Sequence, residues 1–271
     1  MTRLVENDIC NILDQLECHD QELRQKTGGG LLDIAAFAAG VSKQTVETAK
    51  DRQRIGIVPI TSGQGLIPRF SETIRGILRF LGVSAFVTRE TDVAGMAEAA
   101  AAGATSVFMA DDATCSLIDL RTGRVSDNSL CTGRGFAAAL AMRAGSLQGR
   151  VVGVLGAGPV GFGAVRALTD FGAEVVIYDC NAEKLERFYG MPHVCCADTA
   201  QEALQAGEFY FEATTSRNTI CLSDFSASTL VAAPGVPLGV ETQAMERYGD
   251  RVLHDALEIG VAAMVVNILC V

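Results

Sequence analysis

The first half of the chain alternates between helical and strand-like spacing of hydrophobic residues. Apolar side chains at Ile9, Leu13, Leu16 and Leu23 follow a helical period, whereas residues 55–60 form a continuous apolar run of strand length. Strands that alternate with helices predict a parallel sheet with right-handed crossovers. The helices are predicted at 8–25, 31–39, 71–81 and 93–102, and the strands at 55–60, 84–87 and 105–109.

Two further features predict where this unit ends. Arg121-Thr122-Gly123-Arg124 is typical of a hairpin turn, and residues 135–144 form an Ala-rich helical stretch that stops at Gly145-Ser146. We interpret that helix as a bridge between an N-terminal α/β domain at 1–146 and a second domain at 147–271. The apolar run 259–271 is shorter than the ~20 residues that span a bilayer. It predicts a buried terminal helix, a candidate to complete the first domain.

Gly28-Gly29-Gly30 interrupts the helical pattern between the first two predicted helices. Glycines at such a place serve either as a helix stop and flexible joint or as a ligand-binding loop. Because no strand precedes them, the sequence favours the joint.

A strand, a glycine-rich turn and a helix follow one another in the second half. Residues 151–155 are a buried-strand run, Gly156-Ala157-Gly158-Pro159-Val160-Gly161 follows directly, and a helix is predicted from about 162 to 171. This context predicts a C-terminal Rossmann domain with a parallel sheet. Gly156 would allow a tight turn, Gly158 would let the backbone approach a pyrophosphate, and Gly161 would let the helix pack on the strand. The helix N-terminus, with Pro159 and Val160, would face the phosphates.

An acidic residue after the next predicted strand bears on the choice of cofactor. Asp179 follows the strand at 174–178, at the distance from the third glycine that dinucleotide-binding domains show. Its carboxylate would accept hydrogen bonds from the adenosine ribose and repel a 2′-phosphate, which favours NAD over NADP. Cys180 is assigned to the same site, and Thr214 and Thr215, at the end of a strand predicted from 209, to the nicotinamide half. The sequence therefore predicts an NAD-dependent oxidoreductase.

Two segments that follow strands of the first domain offer groups for a substrate. Residues 61–65, Thr-Ser-Gly-Gln-Gly, present hydroxyls and backbone N–H groups suited to a carboxylate, and Asp111-Asp112 presents carboxylates suited to an ammonium. An ordinary turn and a solvated acid pair are the alternatives. The three His residues do not flank these segments and no Tyr-x-x-x-Lys is present, which disfavours alcohol oxidation. For an amine, a carboxylate suffices as proton acceptor, and Asp112, Asp111 and Glu241 are the candidates.

Charge and cysteine content limit the kinds of ligand and partner that the protein is expected to bind. The formal charge of −10 and the lack of a Lys/Arg run argue against nucleic acid. An acidic surface also suits a cationic substrate, although solubility alone accounts for it. The nine Cys residues lack Cys-x-x-Cys spacing, and neither His193-Val194-Cys195-Cys196 nor Cys18-His19 has a second matching pair, so neither a disulfide framework nor a metal site is predicted. With no apolar signal core near the N-terminus, we expect a cytoplasmic protein that does not enter a membrane.

Four segments together resemble one family. Residues 60–65, 109–112, 156–161 and 257–262 make the whole chain similar to the PylD family of pyrrolysine-biosynthesis dehydrogenases. The resemblance implies NAD⁺-dependent oxidation of the terminal amine carbon in the ornithine moiety of L-lysine-Nε-(3R)-3-methyl-D-ornithine, with loss of ammonia and closure of the pyrroline ring. It implies that the N-terminal helix near Leu4 and Val5 closes over the substrate. The resemblance also assigns substrate binding to Thr61, Ser62, Gly63, Gly65 and Asp112.

Two other interpretations remain open. A shikimate- or methylenetetrahydrofolate-type dehydrogenase shares the two-domain layout, but such enzymes use a catalytic Lys in the first domain, and the predicted helix after the Ser-Gly loop, residues 70–81, contains none. A NAD-sensing protein without turnover would keep the nucleotide site and need no organised acids. A homodimer is expected from the frequency of two-fold pairs among such enzymes.

Overall fold

Among the residues that the structure describes, four helices precede the first strand. The computed structural model describes residues 4–270; residues 1–3 and 271, at the ends of the predicted N-terminal segment and C-terminal helix, lie outside it. The predicted single helix at 8–25 is in fact two helices that break at residues 10–11, and a further short helix follows Ser42, whose hydroxyl accepts the Thr45 N–H at 3.1 Å. The helices are α1 (Glu6–Ile9), α2 (Ile12–Thr27), α3 (Leu31–Ala39) and α4 (Lys43–Lys50).

The triple glycine is a packed connection between α2 and α3. Gly28 ends α2 in the left-handed region at φ +81°, and the buried Asp20 carboxylate accepts the Leu31 N–H at 2.7 Å. A Cβ at Gly30 would lie 2.3 Å from Asp20 Oδ1. The predicted helix stop is confirmed, because Gly28 ends α2, and Gly30 permits close packing that a side chain would prevent. The flexibility of this joint stays a prediction.

The first sheet confirms the predicted order of strands and helices. Its strands are arranged β2-β1-β3-β4-β5, of which the first three are parallel, while β4 and β5 form the predicted antiparallel hairpin. Apolar side chains of the strands and of α5 are buried against each other, which is why the two hydrophobic periods alternate in this segment. The elements are β1 (Arg54–Pro59), α5 (Phe70–Phe80), β2 (Ser84–Val87), α6 (Asp92–Ala101), β3 (Ser106–Ala110), β4 (Cys115–Asp119) and β5 (Val125–Asp127).

The second sheet is fully parallel, with the order β11-β10-β9-β6-β7-β8. This is the doubly wound arrangement of a Rossmann domain, so the predicted α/β fold class is confirmed. Two boundaries differ from expectation, because the strand predicted from 209 to 215 ends at Glu212 and the helix after the glycine loop begins at Pro159. The elements are α7 (Asn128–Ala144), β6 (Val151–Leu155), α8 (Pro159–Asp170), β7 (Glu174–Tyr178), β8 (Val194–Cys196), α9 (Ala200–Gln205), β9 (Phe209–Glu212), β10 (Leu230–Ala232), α10 (Thr242–Tyr248), β11 (Val252–Leu253) and α11 (Glu258–Cys270).

Helix α7 packs against strands of both sheets, α8 against the second sheet and α11 against the first. A Cβ at Gly133 of α7 would lie 2.2 Å from the Val160 carbonyl oxygen, and one at Gly163 of α8 would lie 2.6 Å from the Leu130 carbonyl oxygen. These glycines let the α7 and α8 backbones touch, so the two helices begin side by side. The terminal helix α11 packs on α7, α3 and the β4–β5 hairpin, all of which precede residue 146. The domain boundary at 146/147, with α11 completing the first unit, stays a prediction.

Within residues 4–270, none of the helices has both the length and the apolar character needed to cross a bilayer.

Candidate active site

A cavity of about 510 Å³ lies where the carboxyl ends of the two sheets face each other. One wall comes from residues after β1, β3 and β5, and the other from residues after β6, β7, β9 and β10. Ligands of open α/β sheets bind at this edge, where strand order reverses, and here the reversal falls between β6 and β9. The cavity is therefore the candidate active site.

The glycine loop after β6 enters this cavity with the geometry that its residues require. Gly156 has φ +100°, and a Cβ there would lie 2.6 Å from the Ala213 carbonyl oxygen. A Cβ at Gly161 would lie 1.9 Å from the Gly156 carbonyl oxygen, so this glycine lets α8 start against the loop itself. A Cβ at Gly158, in contrast, would meet no protein atom within 4 Å. The backbone of Gly158 is thus exposed to the cavity beside Pro159 and Val160, at the N-terminus of α8.

Asp179 lies at the far end of the same wall, directly after β7. Its Oδ2 accepts the Ala157 N–H at 2.8 Å and its Oδ1 accepts the Asn181 N–H at 2.9 Å, so the carboxylate also holds the glycine loop in place. The Lys184 ammonium lies 3.6 Å from Oδ2. Asp179, Cys180 and Lys184 all line the cavity. The predicted cofactor residues are thereby brought together, with Gly161 just behind the lining.

The opposite end of that wall is formed by loops after β9 and β10. Thr214 and Thr215 line the cavity, together with Thr219 and Gly235. Beneath them lies Glu212, the last residue of β9, which is 0% exposed. Its Oε1 accepts the hydroxyls of Thr214 at 2.5 Å and Thr219 at 3.1 Å, and the Thr214 N–H at 3.0 Å.

The second oxygen of Glu212, Oε2, is buried without a well-formed hydrogen bond. Burial raises the pKa of this carboxyl, an effect that its hydroxyl and N–H donors and the Gly239 backbone partly offset. Sequence reasoning missed Glu212. The available signal was an acidic residue that ends the otherwise apolar run Phe209-Tyr210-Phe211.

Three carboxylates line the first wall of the cavity. Asp111 and Asp112 follow β3 as predicted, and Asp127, which ends β5, joins them. Asp127 was not predicted; the signal was its place just before α7, where its Oδ1 accepts the Leu130 N–H at 2.9 Å as an N-cap. Burial raises the pKa of the neighbouring Cys115 thiol to about 12, and the charges of Asp127 and Asp111 add to this effect. Among the described lining residues, Lys184 at the other end is the one basic side chain.

The two predicted acids differ in their surroundings. Asp111 Oδ1 accepts the N–H groups of Ala113 at 2.8 Å and Thr114 at 2.7 Å, which closes the turn between β3 and β4. Asp112 Oδ2 accepts the Gln64 N–H at 2.7 Å, and a Cβ at Gly63 would lie 2.3 Å from the same oxygen. Asp112 therefore fixes the Ser-Gly loop to the end of β3, with Gly63 kept small for that approach.

The structure brings only part of the predicted substrate loop into the cavity. Gly65 lines it, whereas Thr61 gives both its N–H and its hydroxyl to Asp92, at 2.8 and 2.6 Å. Ser62 and Gly63 are exposed and lie outside the cavity lining. The expectation that the Thr61 hydroxyl is directed at a ligand is thus corrected, because Asp92 takes it.

Glu241 also does not join the acid group. It immediately precedes α10, and its Oε2 accepts the Leu222 N–H at 2.8 Å, outside the cavity. The prediction of Glu241 as a candidate proton acceptor is corrected for this reason: its carboxylate stabilises a turn of the second unit.

Two residues of the N-terminal segment line the site and a cavity beside it. Leu4 lines the main cavity, whereas Val5 lines an adjoining cavity of about 460 Å³ together with Arg217, Pro237 and His254. The two cavities share Val236 and Ala256. Leu4 and Val5 therefore each line one of two adjoining cavities, and their closure over a substrate stays a prediction.

A buried group of titratable side chains links α2 to the start of α11, just behind the cavity. His19 Nε2 lies 3.3 Å from Asp255 Oδ2, and the Glu258 Oε2 accepts the Leu257 N–H at 3.1 Å. Burial raises the pKa of Glu258 from 4.5 to about 7, and the charge of Asp255 adds to this effect. Burial opposes protonation of His19, but its hydrogen bond to Asp255 and the charge of that residue raise its pKa overall. Leu257 lines the cavity, so this group supports one edge of it.

The lining residues fit a dinucleotide. Three features follow one another along one wall in the order of the cofactor's parts. They are Asp179, which suits an adenosine ribose, the open backbone of Gly158 at a helix N-terminus, which suits a diphosphate, and Thr214 and Thr215 at the switch point, which suit the nicotinamide. The unobstructed space beside Gly158 is the feature that a close-lying diphosphate requires. Within residues 4–270, no group of three or more His, Cys, Asp or Glu side chains is arranged to hold a metal ion.

The chain is similar in sequence to one protein family and to its members. Residues 8–126 match the family model described as the pyrrolysine biosynthesis protein PylD, N-terminal domain. The pyrrolysine synthase of Methanosarcina acetivorans is 34% identical over 269 residues, which cover 99% of this chain and 100% of that protein.

Solved structures show the same fold at low sequence identity. Shikimate dehydrogenase from Aquifex aeolicus superposes with a TM-score of 0.55 at 13% identity, over 81% of this chain and 93% of that one. Quinate dehydrogenase from Corynebacterium glutamicum, solved in complex with NAD, gives a TM-score of 0.55 at 16% identity, over 80% and 94%. At these identities the similarity shows the fold alone, with a Rossmann-type unit beside a second α/β unit.

Proposed function

The chain belongs to the PylD, or pyrrolysine synthase, family, and from this premise we propose that it is an NAD⁺-dependent dehydrogenase that oxidises a primary amine. It is an enzyme of pyrrolysine biosynthesis with the fold of an oxidoreductase. The proposed substrate is L-lysine-Nε-(3R)-3-methyl-D-ornithine, and the proposed reaction oxidises the terminal amine carbon of its ornithine moiety, expels ammonia and closes the pyrroline ring.

One observation carries this proposal: a single cavity connects the glycine loop of the second sheet with the carboxylates of the first. Gly158 marks the place for a diphosphate, and Asp111, Asp112 and Asp127 form an acidic end suited to a cationic amine. A NAD-binding protein without turnover would not need an acid group across the cavity. The lysine that shikimate-type chemistry uses is also missing from the described lining at this end, where Lys184 lies on the nucleotide side.

The reaction balances with groups that the cavity offers. The ammonium loses a proton to a carboxylate, and the neutral amine carbon then loses hydride, which leaves an iminium on the substrate. Bound NAD⁺ supplies the hydride acceptor. The second amine of the ornithine moiety, in its neutral form, attacks the iminium carbon, and one of its protons passes to the terminal nitrogen. Departure of that nitrogen as ammonia gives the cyclic imine in its protonated form.

Within this scheme Asp112 and Asp111 orient the ammonium and accept its proton. Both carboxylates already accept backbone N–H groups, which fixes their orientation before any substrate arrives. Asp127 adds negative charge beside them. The apolar residues Ile57, Phe70 and Phe108 line the same end and limit the access of water, which would otherwise hydrolyse the iminium.

The decisive experiment follows NADH formation at 340 nm with the lysyl-methylornithine substrate and identifies the product by mass spectrometry. Asp112→Asn removes the charge but keeps an oxygen that can accept the Gln64 N–H, so we expect turnover to fall at least about a hundredfold, the lower range for a general base. Binding of NAD⁺, measured by calorimetry, should change little.

Asp92→Asn is the matched control. Asp92 also holds the Ser-Gly loop through a backbone N–H, but it lies outside the cavity lining, and its φ of +52° is one that Asn accepts. We expect this variant to keep most of its turnover. Full turnover of the Asp112→Asn protein would remove Asp112 from the mechanism, and absence of both NAD⁺ binding and NADH formation in the unmodified protein would refute the proposed function.

A further inference from the structure

We infer that Glu212 fixes the direction of the Thr214 hydroxyl, so that this end of the cavity offers a hydrogen-bond acceptor and selects a ligand with an N–H donor. The inference rests on the proposed function, since the two N–H donors in question are the carboxamide of the nicotinamide cofactor and the amine of the substrate. Glu212 is then a positioning residue that acts through Thr214 and does not touch either ligand.

The position of Glu212 makes it a common support for two loops. It ends β9 beside Leu155 of β6, which is the switch point of the sheet. Its carboxyl lies under the loop that begins with Thr214 and under the loop that begins with Gly235, where a Cβ would be 2.9 Å from Oε2. Both loops line the cavity, so the buried carboxyl lies one residue behind the nicotinamide end.

Hydrogen-bond counting determines where the Thr214 proton points. A hydroxyl has one proton to donate and two lone pairs to accept with. The Thr214 Oγ1 lies 2.5 Å from Glu212 Oε1, whereas the other acceptor in reach, the Ser216 carbonyl oxygen, is 3.5 Å away. The proton is therefore directed inward to Glu212. One lone pair of Oγ1 accepts the Ser216 N–H at 3.1 Å, which leaves a single acceptor position for a ligand.

Thr219 is constrained in the same direction. Its hydroxyl lies 3.1 Å from Glu212 Oε1 and 3.2 Å from the Gly239 carbonyl oxygen, and both acceptors lie behind the cavity wall. Its proton is thus also directed away from the cavity. The two hydroxyls together make a surface that accepts hydrogen bonds and cannot donate them.

This arrangement holds whether Glu212 is ionised or protonated. Three donors converge on Oε1, so a proton added to the carboxyl would reside on Oε2, which is buried without a well-formed hydrogen bond. Oε1 then remains the acceptor of the Thr214 hydroxyl in both states. A carboxyl is suited to this place because one oxygen can receive several donors at once.

The test compares two dinucleotides that differ in one substituent, an NH2 group in one and a methyl group in the other. NAD⁺ carries a carboxamide, and 3-acetylpyridine adenine dinucleotide carries an acetyl group that cannot donate. Calorimetry on the unmodified protein should show tighter binding of NAD⁺ by about threefold to tenfold, the range for one neutral hydrogen bond. Thr214→Val, of similar shape but without the hydroxyl, should bring the ratio close to one, and Thr214→Ser should restore it.

Variants of Glu212 then test the positioning role itself. Glu212→Gln keeps an oxygen for the Thr214 proton and should keep the ratio, whereas Glu212→Met removes the acceptor, frees the proton to face the cavity, and should abolish the preference. A purely structural effect would weaken both dinucleotides equally and leave the ratio unchanged. If Glu212→Met does not fold, the Thr214 pair still decides, since it leaves the buried carboxyl in place.

A second arm identifies the source of the donor. This arm applies if the unmodified protein binds the two dinucleotides equally well. The amine substrate is then titrated into the Thr214→Val and Thr214→Ser proteins, each saturated with NADH. Weaker binding of the substrate to Thr214→Val than to Thr214→Ser supports the inference, with the substrate as the donor. Equal binding in both arms overturns the inference and leaves the proposed function intact. Failure of the unmodified protein to bind either dinucleotide refutes the proposed function and the inference with it.

Discussion

Two glycines of the same loop should respond in opposite ways to one added methyl group. The Gly158 backbone is extended at φ −71° and ψ −174°, which alanine adopts freely, and its Cβ would meet no protein atom within 4 Å. We therefore expect Gly158→Ala to unfold with a free energy within about 0.5 kcal/mol of the unmodified protein. At Gly161 the same Cβ would lie 1.9 Å from the Gly156 carbonyl oxygen, so the backbone must shift and stability should fall by about 1–3 kcal/mol.

Binding separates the two positions in a different way. If a diphosphate lies against Gly158, the alanine methyl occupies its space, and a misfit of about 1–3 kcal/mol weakens NAD⁺ by about 5-fold to 150-fold. Denaturant unfolding measures the stability and calorimetry measures the affinity, each on both variants. The protein itself leaves the space beside Gly158 open, so only a bound ligand can be hindered by the added methyl group. If Gly158→Ala has normal stability and binds NAD⁺ as tightly as the unmodified protein, the placement of the diphosphate is refuted.

Three other predictions concern single side chains. Asp179→Ala should raise the affinity for NADP⁺ relative to NAD⁺ by about tenfold or more, since Lys184, 3.6 Å from the lost carboxylate, remains to pair with a 2′-phosphate. An additional Lys184→Ala change should cancel the gain. An unchanged ratio of the two affinities in Asp179→Ala would contradict the assignment of Asp179 to the adenosine ribose. Because Glu258 binds its proton more tightly when folded, with a pKa of about 7 against 4.5, the free energy of unfolding should fall as pH rises between these values. Glu258→Gln should remove the Glu258 part of that dependence, leave the part that the raised pKa of His19 contributes, and stabilise the protein at pH 8 by up to about 3 kcal/mol. Denaturant unfolding of both proteins at pH 5 and pH 8 would check this. Gly63→Ala, strained at φ +69° and directed at Asp112 Oδ2, should reproduce most of the turnover loss of Asp112→Asn without loss of NAD⁺ affinity.

Segments with a strong hydrophobic period were predictable, and weakly patterned ones were not. The runs at 151–155 and 174–178 coincide with β6 and β7, because buried parallel strands need continuous apolar residues. In α4, Val46 alone is buried, so no periodicity marks the helix, and its N-cap Ser42 was the remaining signal. The edge strand β8 spans three residues that stay partly exposed and has no apolar run to reveal it.

The nucleotide half of the site was predictable because its requirements are local. Glycines at fixed spacing, a strand before them and an acid after the next strand all lie within one short segment. The substrate half depends on register between distant segments. Asp127 reaches the acid group only because β5 pairs with β4 and β4 with β3, and the Thr61 hydroxyl, in the loop after β1, is taken by Asp92 of α6. Neither relation is encoded in a local pattern.

The distribution of charge across the cavity indicates which kinetic constant the acids should control. The N-terminus of α8 brings partial positive charge to the nucleotide wall, while Asp111, Asp112 and Asp127 bring negative charge to the other. In the proposed reaction, positive charge appears on the substrate nitrogen as the iminium forms. The carboxylates therefore stabilise the transition state more than the bound neutral amine, which is the condition for an effect on rate. Asp112→Asn should accordingly lower kcat far more than it raises KM. A variant that raised KM alone would show that the acid only binds the ammonium, and proton transfer would then belong to Asp111.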